Sequence, residues 1–177
     1  IESGNFKLDG GAMFGVVPKT IWNKTNPADA NNLIDIAARC LLIEDENRLI
    51  LIDTGMGDKQ SDKFFGYYSL WGSHSIDKSL AKFGFHREDI TDVFMTHLHF
   101  DFLQNSELGF DIFFADGHTE KQMIPQIKYK GKTICFVADL LPTAGHIPLP
   151  YVMGYDTRPL LTMPEKAKFL NTAADNN

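Results

Sequence analysis

The most informative segment of this chain is Thr96-His97-Leu98-His99-Phe100-Asp101. It follows Asp92-Val93-Phe94-Met95, a short apolar run that predicts a buried strand. Side chains alternate along an extended backbone, so we expect His97 and His99 to project to the same side. Two imidazoles with a carboxylate two residues later form half of a transition-metal site. A satisfied buried histidine is the alternative for either residue alone, but the H-x-H-x-D spacing at a strand end favours the metal site.

Apolar runs separated by turn residues predict a chain of mixed strands and helices. Ser75 is predicted to cap a short helix that ends before Gly84. Thr162-Met163-Pro164-Glu165 is predicted to be the capping box of a closing helix that runs to about Ala174. The predicted strands are 12–17, 33–43, 48–52, 92–95, 110–114, 126–130 and 132–137, with hairpins joining 33–43 to 48–52 and 126–130 to 132–137.

Polar side chains of metal-binding type follow these predicted strands. Strand ends gathered along one edge of a sheet are where ligands and catalytic groups collect. Several such groups, each placed just after an apolar strand, are therefore expected to meet in one site. The residues in these positions are Asp53, His97, His99, Asp101, His118 and Asp139.

Composition argues against several classes of partner. With 177 residues and 44% hydrophobic content, the chain is long enough for one ordinary globular domain with its own core. The formal net charge of -6 argues against nucleic acid and anionic membranes, because both need a basic face. No apolar run approaches the roughly 20 residues that a membrane span needs. The sequence begins at Ile1 without a basic-then-apolar leader, so a cytoplasmic location and export after leader removal both stay open.

The two cysteines are predicted to be buried, free thiols. Cys40 and Cys135 each lie inside an apolar run, where a small inert thiol is the usual state. Neither has a Cys or His partner at metal-ligand spacing. We therefore leave both cysteines out of the predicted site.

Four motifs carry a family resemblance by their order along the chain. They are I-D-T-G-M-G with Asp53, T-H-L-H-F-D from Thr96 to Asp101, G-H-T with His118 and V-A-D with Asp139. This order resembles the metallo-β-lactamase superfamily. The stretches 10–22 and 139–156 look more narrowly like the branch that contains quorum-quenching lactonases and methyl parathion hydrolase. The resemblance implies a single domain over residues 1–177 with an α/β (in some schemes α+β) fold, a four-layer αβ/βα sandwich whose active site lies at one edge.

The resemblance also implies a role for each matching residue. His97, His99 and His118 would hold a first divalent ion, Asp101 would hold a second ion and face the nucleophilic water, and Asp139 would bridge the two. Asp53 matches an acid that orients ligand histidines by accepting their other N–H. A carboxylate that caps its own turn is the alternative for Asp53. Zinc is the first choice of metal, and manganese, iron or cobalt would suit the same donors.

The chain departs from this family pattern in two places. The second-metal motif normally continues H-x-H-x-D-H, whereas here Asp101 is followed by Phe102-Leu103-Gln104, and the family's final His has no counterpart. Only residues 102–109 separate Asp101 from the strand at Phe110, whereas joining two parallel strands takes about a dozen residues or more. We therefore expect that a segment between Asp101 and Phe102, and the C-terminal strands, are missing from this sequence. A degenerate family member that lost its second metal is the alternative.

The implied function is metal-dependent hydrolysis by a lactonase-like or esterase-like enzyme. A divalent ion lowers the pKa of bound water to roughly 7 in the best zinc sites, so a metal-bound hydroxide would attack a lactone or ester carbonyl. Asp101 would then carry a proton to the leaving oxygen. For the residues that would line the substrate pocket, core packing, a subunit contact or a plain loop position is the alternative. Those residues are Met13, Phe14, Trp22, His146 and Tyr155.

Three other functions stay open at this point. An organophosphate triester is the second choice of substrate for a hydrolase. A mononuclear-iron sulfur dioxygenase on the same fold needs only His, His and Asp ligands, which fits the missing second-site groups. A non-catalytic binding protein would hold no metal. The expected partner in every enzymatic case is a small molecule. Dimers are common in the family, but nothing in the sequence itself indicates a homodimer.

Overall fold

The computed structural model describes residues 1–97 and 108–176 of the chain. Within these ranges the backbone forms eight strands and five helices, joined by turns and short 3-10 segments. The strands are β1 (Glu2–Asp9), β2 (Leu33–Arg39), β3 (Leu41–Asp45), β4 (Arg48–Ile52), β5 (Asp92–Phe94), β6 (Asp111–Ala115), β7 (Gln122–Tyr129) and β8 (Lys132–Cys135). The helices are α1 (Gly10–Phe14), α2 (Lys19–Trp22), α3 (Asp62–Gly66), α4 (Ile76–Ala81) and α5 (Pro159–Asp175).

The chain divides into two compact units, and the strands form three small sheets within them. Unit 1 comprises Ile1–Asp9 and Ala28–Met95, and unit 2 comprises Gly10–Pro27 and Thr96–Asn177. Unit 1 holds the antiparallel pair β1-β2 and the sheet β3-β4-β5, in which β5 runs parallel to β4. Unit 2 holds the antiparallel sheet β6-β7-β8. The prediction of one domain over the whole chain stays a prediction.

Unit 1 confirms the hairpin, the strand at 92–95 and the capped helix that the sequence predicted. Strand β4 (R-L-I-L-I) is an almost unbroken apolar run, which suits the central strand of its sheet because a central strand is buried on both faces. The hairpin to β3 turns at Glu46, whose φ is 46°. Ser75 caps α4 by accepting a hydrogen bond from the backbone N–H of Lys78 at 3.3 Å. Leu80 of α4 is fully buried.

Unit 2 has a core that fixes helix α5 against the sheet β6-β7-β8. One buried cluster contains Ala115 of β6, Ile124 of β7, Phe169 of α5 and Leu140, which lies in the 3-10 turn after β8. The ring of Phe169 meets that of Phe113 edge to face, with centroids 5.5 Å apart. Because α5 is anchored by these contacts, its first turns are held in a fixed position beside the end of β6.

The strand predicted over residues 12–17 is wrong. Gly10–Phe14 forms the short helix α1, which closes with a hydrogen bond from the N–H of Gly15 to the carbonyl of Gly11 at 2.8 Å. Gly15 then adopts a φ of 55°, a left-handed conformation that glycine enters without a steric penalty. An apolar run of six residues has no periodicity that distinguishes a strand from a helix, which is why the sequence misled here.

The capping box predicted at Thr162 and Glu165 is also wrong, because helix α5 begins earlier. Pro159 occupies its first position, where the fixed φ of proline suits a helix and its missing N–H costs nothing. Thr162 and Glu165 therefore lie one turn inside the helix. The Thr162 hydroxyl donates to Asp156 at 2.8 Å and lies 3.5 Å from the carbonyl of Arg158, and the Glu165 carboxylate accepts from the backbone N–H groups of Asp116 and Gly117.

The single strand predicted over residues 33–43 is two strands, β2 and β3, which lie in different sheets of unit 1. Among the described residues, β5 pairs with β4 and β6 pairs with β7, the latter pairing being antiparallel. Neither pairing tests the expectation that Asp101 lies in a crossover between two parallel strands, which stays a prediction. The Asp101–Phe102 junction itself lies outside the described residues, so the missing segment stays a hypothesis.

The remaining predicted elements of unit 2 are confirmed within a few residues. Strand β6 matches the prediction over 110–114, and β7 and β8 form the hairpin predicted about Lys130 and Gly131. Both cysteines are free thiols, Cys40 buried and Cys135 half-buried. Burial raises the pKa of each thiol. Across the described ranges, no helix combines the length and apolar character that crossing a bilayer requires.

Candidate metal centre

Three predicted ligands, His97, His118 and Asp139, meet in unit 2. Nε2 of His97 and Nε2 of His118 each lie 3.3 Å from Oδ2 of Asp139. One ligand atom from each of the three residues lies within 4.8 Å of the other two. The two rings stand almost perpendicular, at 89°, with centroids 5.3 Å apart. The side chain of His118 is 5% exposed, whereas that of Asp139 is 39% exposed, so the cluster is open on the carboxylate side.

Three separate chain segments supply these side chains. His97 follows Thr96, whose carbonyl accepts a hydrogen bond from the N–H of Met123 at 2.8 Å near the start of β7. His118 lies on the turn between β6 and β7. Asp139 lies in a 3-10 turn just after β8, entered through Ala138 with a φ of 42°. The sheet β6-β7-β8 thus supplies two ligands directly and ties the third segment to its edge.

A buried carboxylate fixes the ring of His118. Nδ1 of His118 lies 3.0 Å from Oδ1 of Asp156, whose side chain is 1% exposed. The hydroxyl of Thr162 donates to the other carboxylate oxygen, Oδ2, at 2.8 Å. A carboxylate that accepts the Nδ1–H of an imidazole leaves the Nε2 lone pair as the ligand, and it orients the ring at the same time.

His97 has the same arrangement with a different partner. Its Nδ1 lies 2.9 Å from the hydroxyl of Thr96, which is fully buried. With the proton placed on Nδ1, the threonine oxygen accepts it and Nε2 carries the lone pair. Both histidines therefore have a protein group at Nδ1, and both direct Nε2 toward the same oxygen of Asp139.

The distances fit a tetrahedral metal ion. Nitrogen and oxygen ligands bind Zn²⁺ at about 2.0–2.2 Å, which places two ligand atoms of a tetrahedron about 3.3–3.5 Å apart. The two separations of 3.3 Å between imidazole Nε2 and the Asp139 oxygen agree with that spacing. Two imidazoles and one carboxylate suit zinc, manganese, iron and cobalt alike. The residues present therefore fit a divalent cation.

The charges of the site also favour a cation beside Asp139. Burial opposes the charged form of His118, but its hydrogen bonds to Asp139 and Asp156 outweigh that and raise the pKa of His118 to about 9. For Asp139, burial acts to raise the pKa, and the hydrogen bonds with His118 and His97 instead hold it well below its usual range. The carboxylate thus stays ionised at neutral pH, ready to hold positive charge.

Comparison with known proteins agrees with this site. Residues 35–102 match the model of the metallo-beta-lactamase superfamily. A probable metal-dependent hydrolase from Staphylococcus aureus is similar in structure, with a TM-score of 0.89 and 23% identity over 98% of this chain and 83% of that chain. This chain has the metallo-β-lactamase fold. The fold implies that it binds a divalent metal, and the superfamily match supports the prediction of a hydrolase.

Two further solved structures are similar at lower TM-scores. The dizinc quorum-quenching lactonase AidC has a TM-score of 0.73 and 20% identity over 98% of this chain and 82% of that chain. The hydrolase AbOPH of the β-lactamase superfamily has a TM-score of 0.76 and 18% identity, covering 99% of this chain and 82% of that one. No curated protein gives a significant match. At these identities the structural similarity establishes the fold, which confirms the fold that the motifs predicted, and quorum-quenching lactonases are among the structural neighbours.

Not all of the predicted metal residues can be placed. His99 and Asp101 lie outside the described residues, so their roles as ligands, and that of Asp101 in proton transfer, stay predictions. Asp53 directly follows β4 in unit 1, where its N–H donates to the carbonyl of Phe94 at 2.8 Å and its φ is 60°. Its predicted role in orienting a histidine also stays a prediction.

Four of the five predicted pocket residues form a buried stack in unit 2. The ring of Phe14 stacks on Trp22 at 5.4 Å and on His146 at 4.3 Å, and Met13 is buried beside them. Both ring nitrogens of His146 have partners, the carbonyl of Met13 and the hydroxyl of Thr143, each at 2.8 Å. This arrangement favours the core-packing alternative for these four residues.

Tyr155, the fifth predicted pocket residue, is 47% exposed. It directly precedes Asp156, so its backbone is held close to the carboxylate that orients His118. Of the five, it is the one whose exposure suits contact with a substrate. That contact stays a prediction.

Sequence reasoning missed the carboxylate that orients His118. Asp156 lies 38 residues after His118, at the end of the family-like stretch 139–156, and the resemblance implied no role for it. An acid in a Gly-Tyr-Asp-Thr stretch has the composition of an ordinary turn. Its role became visible only once the fold placed the start of α5 beside the β6–β7 turn.

Proposed function

We propose that this metallo-β-lactamase-fold protein is a metal-dependent hydrolase whose metal is held by His97, His118 and Asp139. The observation that carries the proposal is the approach of two imidazole Nε2 atoms to one carboxylate oxygen at 3.3 Å. His99 is proposed as a further ligand of the same ion. Asp101 is proposed as a ligand of a second ion, bridged to the first by Asp139. Zinc is the proposed metal, with two ions per chain.

When bound, a divalent ion at this site supplies an activated water and polarises the oxygen of the bond to be broken. The chain's own residues do the rest. Asp156 and Thr96 lie at the Nδ1 atoms of the two rings, so that Nε2 is the atom that would bind the metal, which for His118 requires release of the Nε2 proton. Asp139 supplies the negative charge, and its partial exposure leaves one side of the site open to a substrate. Asp101 is proposed to carry a proton to the leaving oxygen.

The proposed substrate is a lactone or ester with an apolar acyl group. Lactonases are among the solved structures of the same fold, including AidC in complex with a product, N-hexnoyl-L-homoserine. A neutral ester carbonyl needs only an activated water and a site for the developing negative charge, which a metal centre of this composition provides. A phosphotriester makes the same demands and is the second substrate class to assay.

Removing the metal is expected to abolish hydrolysis. We would assay an acyl homoserine lactone, a phenyl ester and a phosphotriester before and after dialysis against a chelator, then after adding back Zn²⁺ or Mn²⁺. The expected result is lactone hydrolysis that disappears with the chelator and returns with the metal. Hydrolysis that the chelator leaves unchanged would contradict a metal-dependent mechanism. Faster turnover of the triester would correct the substrate class alone.

One observation favours a second candidate function. The three ligands that the structure brings together are two histidines and one carboxylate, the set that also binds non-haem Fe(II) in oxygenases. A mononuclear-iron sulfur dioxygenase would use this set without a second ion. Oxygen uptake on a persulfide by the iron-loaded protein, with no lactone hydrolysis by the zinc-loaded protein, would establish the dioxygenase instead.

A further inference from the structure

The short loop that presents His118 is hydrogen-bonded at several points by one other segment, residues 156–165. The N–H groups of Asp116 and Gly117 donate to the two carboxylate oxygens of Glu165, each at 2.9 Å. In the opposite direction, the N–H of Arg158 donates to the carbonyl of Gly117 at 2.8 Å, and the N–H of Thr157 donates to the carbonyl of His118 at 3.1 Å. The backbone on either side of the metal ligand therefore has little freedom to move independently of α5.

The same segment also holds the imidazole of His118. Thr162 donates to Oδ2 of Asp156 at 2.8 Å, and Oδ1 of Asp156 lies 3.0 Å from Nδ1 of His118. Thr162 is 2% exposed, so no water competes with its hydroxyl for the carboxylate. Thr162 and Glu165 are three residues apart on α5 and thus lie on one face of the helix. One face of α5 thereby holds the backbone of the loop through Glu165 and, by way of Asp156, the imidazole of His118 through Thr162.

Gly117 shows how tightly this helix and loop are packed. A Cβ atom placed on Gly117 would lie 2.5 Å from the backbone N and Cα of Thr162, closer than real Cβ contacts allow. Only a glycine lets the loop approach the helix backbone this closely. Since Phe169 anchors α5 in the core of unit 2, the helix serves as a fixed platform for the loop.

We propose that Thr162 and Glu165 are positioning residues of the metal centre, which aim Nε2 of His118 at the site that it shares with Asp139. This inference rests on the proposed metal-binding function. Glu165 holds the backbone of the loop against α5. Thr162 holds the carboxylate of Asp156, and that carboxylate sets the rotation of the His118 ring. Neither residue touches the metal. Loss of either should therefore weaken metal binding without removing a ligand.

The variants Thr162→Val and Glu165→Gln test this with little change in shape. Valine replaces the hydroxyl with a methyl group and leaves Oδ2 of Asp156 without its donor. Glutamine puts an NH₂ group opposite one of the two backbone N–H groups, so a donor faces a donor. Thr162→Ser keeps the hydroxyl and is the conservative rescue. Thr172→Val is the matched control, because Thr172 lies on the same helix, is exposed and bonds only to its own helix at the carbonyl of Lys168.

The measurement is the Zn²⁺ dissociation constant of the full chain, from competition with a chromophoric chelator, with the visible spectrum of bound Co²⁺ as a reporter of ligand geometry. Thermal unfolding of each metal-free variant is recorded in parallel. We expect Thr162→Val and Glu165→Gln to weaken Zn²⁺ binding by about 3- to 10-fold, less than the roughly 10- to 100-fold that follows loss of the direct partner of a ligand histidine. Both should also alter the Co²⁺ spectrum, whereas Thr162→Ser and Thr172→Val should match the wild type in both measurements.

The outcomes separate this inference from the proposed function. If the wild-type chain binds Zn²⁺ and both test variants bind it equally well with an unchanged Co²⁺ spectrum, the positioning role is overturned, whatever their thermal stability. If the wild-type chain binds no divalent metal, the proposed function fails and this inference fails with it. Should Glu165→Gln not fold, the comparison of Thr162→Val with Thr162→Ser decides alone.

Discussion

Asp139→Ala is expected to produce the largest functional loss of any single change in the chain. The variant removes the carboxylate on which two imidazole nitrogens converge at 3.3 Å, so His97 and His118 lose the charge that offsets a cation beside them. A metal ion contributes several kcal/mol of transition-state stabilisation, and 4 kcal/mol corresponds to about a thousandfold in rate. We therefore expect kcat/KM to fall by about a thousandfold or more, together with metal affinity.

A matched control makes this result specific to the site. Asp111 is an exposed carboxylate at the start of β6, in the same sheet that supplies His118 and Asp139. Asp111→Ala changes net charge equally and should leave kcat/KM and metal affinity near those of the wild type. Equal activity of Asp139→Ala and the wild type, measured at saturating metal, would remove Asp139 from the mechanism.

Lys166→Met is expected to produce the largest loss of stability. Lys166 is fully buried on α5, and its Nζ donates to the carbonyls of Pro148 and Tyr151 at 2.7 and 3.0 Å, with that of Leu149 at 3.4 Å. Burial lowers the pKa of Lys166 to about 8, so the charged form bears a desolvation cost that methionine would relieve. Against that, methionine leaves three carbonyls without a donor, and hydrogen bonds to charged groups contribute about 1.5–3 kcal/mol each.

The loss of these hydrogen bonds should outweigh the relieved desolvation cost of the lysine, so the free energy of unfolding should fall by about 3 kcal/mol. Chemical denaturation of the metal-free protein measures it. Lys168→Met is the control, because Lys168 is exposed on the same helix and lies 5.7 Å from the ring of Phe113, a contact that contributes at most about 1 kcal/mol. An unchanged unfolding midpoint for Lys166→Met would show that the loop over residues 148–151 does not depend on the lysine.

The sequence predicted the parts of the site that are local in the chain. His97, His118 and Asp139 each follow a predicted strand, and the structure brings the three together at a sheet edge. The hairpin of β7 and β8 was predictable because alternating apolar residues flank the Lys130-Gly131 turn. The resemblance of the motifs then predicted the metallo-β-lactamase fold, which the comparisons confirm.

The interactions that support the ligands could not be predicted, because they join residues far apart in the chain. Asp156 is paired with His118 across 38 positions, and Glu165 reaches Asp116 across 49. Thr162 and Glu165 carry the exact spacing of a capping box, so local pattern assigned them to the start of a helix that in fact begins at Pro159. Tertiary contacts override local propensity in such cases.

The sequence also could not distinguish residues of a substrate pocket from residues of the core. Phe14 and Trp22 are aromatic residues in a family-like stretch, and nothing in their spacing distinguishes a pocket wall from a core stack. The structure buries both, with His146 stacked against Phe14 and hydrogen-bonded at both nitrogens. The prediction of a pocket rested on residue type alone, whereas the burial of these side chains in the structure favours a core stack.

Metal content per chain is the most direct test of the claim that His97, His118 and Asp139 hold a metal. Wild type and Asp139→Ala would be incubated with Zn²⁺, passed through a desalting column and analysed by inductively coupled plasma mass spectrometry. The wild type should retain at least one ion per chain and Asp139→Ala almost none, while both unfold cooperatively. A wild-type chain that retains no ion, or a variant that retains as much as the wild type, would contradict the proposed centre.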